Sequence, residues 1–195
     1  MAPDLTMLQR RVDAFGAQLR TVRDDQWSLP TPCSEWTVRQ LANHIASGGT
    51  ILPMLLAGAT AEEVMAHRMA HRDDDVLGDD PMSAYERCTA AELSAFAEPG
   101  ALERIVHHPR AGDIPGSVLL GLRVTDILLH SWDLARALGA DDTLDADAVA
   151  AAWSMLEPMA PMIATGGAFG TGPSGNVGAD APLQTRLLDL SGRRP

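Results

Sequence analysis

The chain has 195 residues, 46% of them hydrophobic, enough for one domain with a real core and at most a short appendage. Its formal net charge of -11 and isoelectric point near 4.8 repel a phosphate backbone, and no arginine stripe opposes them, so nucleic acid is excluded as an expected partner. No run approaches the roughly 18 apolar residues that cross a bilayer, the N-terminus lacks a leader pattern, and Cys33 and Cys88 show no paired spacing; together these predict a soluble protein of the reducing cytoplasm, off the membrane.

Apolar residues at helical spacing dominate. Leu5, Leu8, Val12, Phe15, Leu19 and Val22 share one face, predicting a first helix over about residues 4 to 24. The proline-broken "DQWSLPTPCSEW" follows, and Thr37 with Gln40 then forms a capping box ahead of "VRQLANHIASGG", where a second helix begins. A further box, Thr60 with Glu63, opens "ATAEEVMAHRMAHR", and Asp80 with Pro81 starts a long helix over about 81 to 97. Residues 98 to 116 carry two Pro-Gly signals around "RIVHH" and are read as loop. A helix over about 117 to 138 stops at Gly139, "DADAVAAAWSML" supplies another, and the Gly- and Pro-rich tail over about 163 to 182 is read as irregular, with a short helical turn at "LQTRLLDL". The expected architecture is all-α: a single domain over 1 to 195, built as a bundle of four main helices with an extra C-terminal helix and an irregular tail.

Within "RVTDILLHSWDLARALG", Arg123, Asp126, His130 and Asp133 interrupt the leucines and fall within an arc of roughly 80° on a helix. A polar stripe flanked by Leu120, Ile127 and Leu134 faces inward or lines a cleft, and a buried charge there needs a partner or a metal. Asp126 and His130 stand one turn apart, close enough to share one ion, and His44 beside Leu41 and Ile45 offers a third donor from another helix. Two imidazoles and a carboxylate leave positions open for water or substrate. On spacing alone, internal hydrogen bonding explains the pair better than a metal does.

The segments "WSLPTPCSEWTVRQLANHI" and "RVTDILLHSWDLARALG", with the closing "APLQTRLLDLSGRRP", resemble the actinobacterial branch of the DinB-like metalloproteins, which includes the N-terminal domain of mycothiol-dependent maleylpyruvate isomerase. The resemblance implies a DinB-like four-helix bundle holding a divalent metal through His44, Asp126 (where many relatives have Glu) and His130. Zinc is the first expectation, with nickel, iron or manganese as alternatives. It further implies a low-molecular-weight thiol such as mycothiol as cosubstrate, activated for S-transfer or isomerization toward a small-molecule electrophile. The 195 residues leave no room for that isomerase's additional C-terminal domain, so thiol transfer is expected ahead of maleylpyruvate isomerization. The competing class is a non-catalytic metal-containing protein that binds or senses a small molecule. Arg123 is a candidate substrate contact on the same face, or else an internal partner of Asp126 or Asp133.

Other features read as ordinary structure. His67 and His71 stand four apart but among Arg68, Arg72 and Asp73 to Asp75, a solvated face. His107 and His108 are read as surface or connection residues, and Cys33 as a buried inert thiol ahead of the alternative, a place near the metal. Trp27, Trp36, Trp132 and Trp153 serve as core or pocket walls. "ATGGAFGTGPSGNVG" lacks a phosphate-loop ending and is read as a flexible loop, a lid or a contact with a second subunit; a homodimer through an exposed helix face stays open.

Overall fold

The computed structural model describes residues 2–33, 35–165 and 172–195. Helix α1, Leu5–Leu19, is capped by the Asp4 carboxylate, which accepts from the Met7 amide at 2.8 Å. It ends sooner than the apolar spacing predicts, because the Gln26 side chain accepts from the Arg23 amide at 3.0 Å and caps a separate 3-10 turn, Asp24–Gln26. Thr37 and Thr60 each form the expected capping box, starting α2, Val38–Leu56, and α3, Ala61–Ala70. Asp80 starts α4, Pro81–Ala97, with its proline at the first helical position.

The segment read as loop contains an antiparallel hairpin instead. Strands β1, Ile105–His108, and β2, Gly112–Pro115, pair with Val106 opposite Ile114 and His107 opposite Asp113. Two features close it: Gly112 takes a left-handed φ of 72°, and His108 Nδ1 accepts from the amides of Arg110 and Ala111. Four-residue strands carry too little alternation to be read from sequence, and only Val106 among these residues is fully buried.

Helix α5, Gly116–Leu138, stops at Gly139 with φ 66°, and α6, Ala146–Leu156, is capped by Asp145. Short α7, Ala160–Ile163, follows, and the expected turn at "LQTRLLDL" is a two-turn helix, α8, Leu183–Leu190. Of the tail read as irregular, residues 166–171 lie outside the described residues, and 172–182 form neither helix nor strand. Helices α1, α2, α4 and α5 pack around a core that includes Leu8, Phe15, Leu41, Ile45, Ile127 and Leu128, with α6 on α5 and α8 on α6. Among the described residues no helix is long and apolar enough to cross a membrane.

The glycine pair in α2 sets how closely the bundle packs around the polar stripe. A Cβ on Gly49 would collide with the Cys88 carbonyl of α4, and one on Gly48 would come within 2.6 Å of the Arg123 guanidinium. Glycine therefore admits the α4 backbone on one side and the arginine of α5 on the other.

Candidate metal centre

His44 projects from α2 toward Asp126 and His130 on α5. Its Nε2 lies 3.3 Å from Asp126 Oδ1, and His130 Nε2 lies 3.5 Å from the same oxygen. The two rings stand edge to face, 5.0 Å between centroids, and Trp36 leans over both at 4.7 and 5.6 Å. The Asp126 side chain is 33% exposed and that of His44 28%, so the cluster is open on one side.

Behind the cluster the polar stripe is satisfied through two chains of ion pairs. On one side Asp126 Oδ2 accepts from Arg123 Nη1 at 3.0 Å, and Arg123 gives Nε and Nη2 to Glu92 of α4 at 3.2 and 2.7 Å and Nη2 also to the Ile45 carbonyl. The Arg123 side chain is 4% exposed and Glu92 is fully buried, so Arg123 is an internal partner, not the substrate contact considered from sequence. On the other side His130 Nδ1 donates to Asp133 Oδ2 at 2.9 Å, and Arg193, from the segment after α8, grips the same carboxylate at 2.7 and 3.3 Å.

Protonation follows from these contacts. Burial raises the Asp126 pKa, but His44 foremost, with Arg123 on the second oxygen, outweighs it and holds the carboxyl well below its ordinary range. Burial pushes His130 down despite Asp133 and Asp126, leaving a neutral ring at pH 7. Its Nδ1–H is committed to Asp133, a carboxylate that can only accept, so Nε2 aims its lone pair at Asp126 Oδ1. Two electron-pair donors facing each other across 3.5 Å repel, and a cation between them would relieve that. His44, His130 and Asp126 each offer one ligand atom, a ring nitrogen or a carboxylate oxygen, within 4.8 Å of the other two, a donor set that suits a divalent ion.

A second group, Cys33, His130 and Asp133, meets the same distance limit but does not suit a metal. It uses the other ring nitrogen of His130, which Asp133 already occupies, and the Arg193 guanidinium is itself the cation there. Cys33 Sγ donates to Asp133 at 3.3 Å, and burial, reinforced by the Asp133 charge, pushes the thiol to about 12.

The remaining sequence candidates stay apart from this centre. The His67 and His71 rings lie 4.4 Å apart, tilted by 39°, with His71 paired to exposed Asp74. His107 pairs with Asp113 across the hairpin. Sequence reasoning did not find Glu92, although Tyr85, Thr89, Glu92 and Phe96 trace one buried stripe of α4 on which a carboxylate stands out. Arg193 carried no signal, since the tail has no periodicity to place it.

The metal-free protein should lose stability on acidification. His130 lies below the ordinary histidine value of 6.5, so as pH falls through that value the unfolded chain takes up a proton that the folded site refuses. Asp126 and Asp133, both held below the ordinary 3.8, extend the loss as pH falls further. The urea midpoint should drop between about pH 7.5 and about pH 5.5, and the drop should shrink in His130→Gln; an unchanged midpoint would rule out a neutral buried His130.

Four packed helices that gather two histidines and a carboxylate from facing elements have the architecture of the DinB-like helical proteins. Residues 8–135 match the family model of the mycothiol maleylpyruvate isomerase N-terminal domain, and the chain belongs to that family. It is 36% identical over 154 residues to protein Rv0738 of Mycobacterium tuberculosis strain H37Rv, a match covering 77% of this chain and 78% of the relative, and equally to protein MT0763 of strain CDC 1551. Crystal structures of the mycothiol-dependent maleylpyruvate isomerase and of a mutant of it share the fold with a TM-score of 0.60 at 18% and 17% identity. The shared part covers 76% of this chain and 65% of the isomerase chain.

Proposed function

We propose that this protein is a divalent-metal-dependent enzyme that activates a low-molecular-weight thiol of the mycothiol type for S-transfer or isomerization. The observation that carries the reading is the facing of His44 and His130 Nε2 toward one Asp126 oxygen, with His130 fixed in the ligating tautomer by Asp133. A divalent ion held by these three side chains, zinc being the first choice for the donor set, supplies Lewis acidity that lowers the pKa of a bound thiol.

The chain's own residues supply the setting. Arg123 holds the second oxygen of Asp126 so that the first stays aimed at the histidines. Trp36 walls the cluster on one side and restricts water there, while the exposed edges of His44 and Asp126 admit a small molecule. Burial raises the pKa of both cysteines, so neither Cys33 nor Cys88 offers a thiolate nucleophile at neutral pH. A nucleophilic thiol must then arrive as a second molecule, which agrees with the mycothiol dependence stated for the isomerase that gives the family its name. Both cysteines are free, which supports a reducing, cytoplasmic setting.

The test is turnover of a panel of electrophiles with mycothiol by the zinc-loaded protein. Saturable turnover abolished by His44→Ala is expected. Tight binding of mycothiol without turnover across the panel would move the protein to a non-catalytic binding role.

A further inference from the structure

Asp133 has no exposed surface, and it takes a hydrogen bond from His130. A buried carboxylate holds its charge only when paired, and the guanidinium that pairs it comes from 60 residues away. Arg193 reaches it through a defined turn. Helix α8 ends in a left-handed Gly192 with φ 81°, the Gly192 amide donates to the Asp189 carbonyl and the Arg193 amide to the Leu188 carbonyl at 2.8 Å. This two-bond C-terminal motif reverses the chain and turns the Arg193 side chain back toward α5. Its Nη1 is pinned to the Ser191 carbonyl, which leaves Nε and Nη2 as the fork that meets both Asp133 oxygens.

We infer that Arg193 is a positioning residue for the candidate metal centre, and that order in the tail after α8 and loading of a divalent ion at His44, Asp126 and His130 strengthen each other. The inference rests on the metal reading above. Arg193 holds Asp133 in place, Asp133 holds the Nδ1–H of His130, and that bond fixes the ring whose Nε2 faces the ion. A cation at Nε2 withdraws electrons from the ring and makes Nδ1–H a stronger donor to Asp133, so the loaded centre gains most when Arg193 already holds that carboxylate in place. Linkage requires the coupling to run both ways. Cys33 cannot substitute, because a neutral S–H brings no charge to the carboxylate. Arg193 lies outside the 8–135 span of the family match, so the centre is completed by a segment beyond it.

The experiment uses the full chain with zinc as probe. Zinc affinity is measured by chelator competition for wild type, Arg193→Gln, Arg193→Lys, Asp133→Asn and the Arg193→Gln/Asp133→Asn double variant, and amide exchange of residues 183–195 is followed with and without zinc. Arg193→Gln should weaken zinc by about 10–100-fold, the range for partners that orient a ligating histidine. Arg193→Lys keeps the charge but not the fork and should fall between; it carries the test if Arg193→Gln fails to fold. The double variant should bind zinc as Asp133→Asn does, within about threefold, since Arg193 acts only through Asp133. Zinc should slow exchange at Gly192 and Arg193. A wild type that binds zinc while folded Arg193→Gln binds it equally well, or whose tail exchange ignores zinc, overturns this inference alone. A wild type that takes up no zinc overturns the metal reading as well.

Discussion

Arg123→Ala is expected to destabilise the protein by about 3–5 kcal/mol, the range for breaking a buried ion pair from one side. The guanidinium makes four hydrogen bonds from a side chain 4% exposed: two to Glu92, one to Asp126 and one to the Ile45 carbonyl. Without it Glu92, fully buried in α4, has lost its counter-charge. Burial already raises the Glu92 pKa against the pull of Arg123, so the orphaned carboxyl would protonate, or water would enter between α2, α4 and α5. Glu92→Gln combined with Arg123→Ala should recover part of the loss, because an amide carries no charge to orphan. Urea unfolding of the three proteins measures this. A loss below about 1 kcal/mol for Arg123→Ala would show that the pair is not structural and return Arg123 to the role of substrate contact.

Asp126→Asn is expected to weaken zinc by more than about 100-fold, beyond the range for residues that only orient a ligand. Asparagine keeps the shape of the side chain, and its carbonyl oxygen can still accept from Arg123, so the fold should persist with a loss of about 1.5–3 kcal/mol, the size of a charged hydrogen bond. What it loses is the single negative charge toward which both histidine nitrogens point. Chelator competition with wild type alongside gives the affinity, and thermal unfolding of the zinc-free proteins gives the stability. An Asp126→Asn affinity within about threefold of wild type would remove the carboxylate from the ligand set.

The helix starts were legible because each is written in two or three adjacent residues: Thr37 with Gln40, Thr60 with Glu63, Asp80 with Pro81. Local chemistry decides them, and no distant contact overrides it. The end of α1 was not, since the apolar spacing continues to Val22 while the Gln26 cap starts a new turn. The hairpin over residues 105–115 escaped for want of length, its pairing set by a glycine turn and by His108 bonds that sequence does not display.

For the site, the four-residue spacing of Asp126 and His130 and the place of His44 beside an apolar face made the three candidates, the family resemblance selected them, and the structure brings their side chains close together. Their supports were hidden to different degrees. Asp133 lay on the same stripe, but its partner Arg193 is brought in by the turn after α8. Glu92 reaches Arg123 across 31 residues, and only the buried stripe of α4 could have announced it. Gly48 and Gly49 read as ordinary weak points in a helix, yet both are places where a Cβ would meet another element. The candidate ligands sit on periodic elements and can be read; Arg193 and Glu92, which hold their neighbours in place, are brought in by packing between elements.

The central claim is tested most directly by the metal content of tag-free protein, measured by mass spectrometry for wild type beside His44→Ala and His130→Ala. The expected result is about one equivalent of a divalent metal in wild type, lost in both variants while helical circular dichroism persists. Well-folded wild type that takes up no divalent ion even after reconstitution contradicts the claim, and leaves the stripe on α5 as internal hydrogen bonding alone.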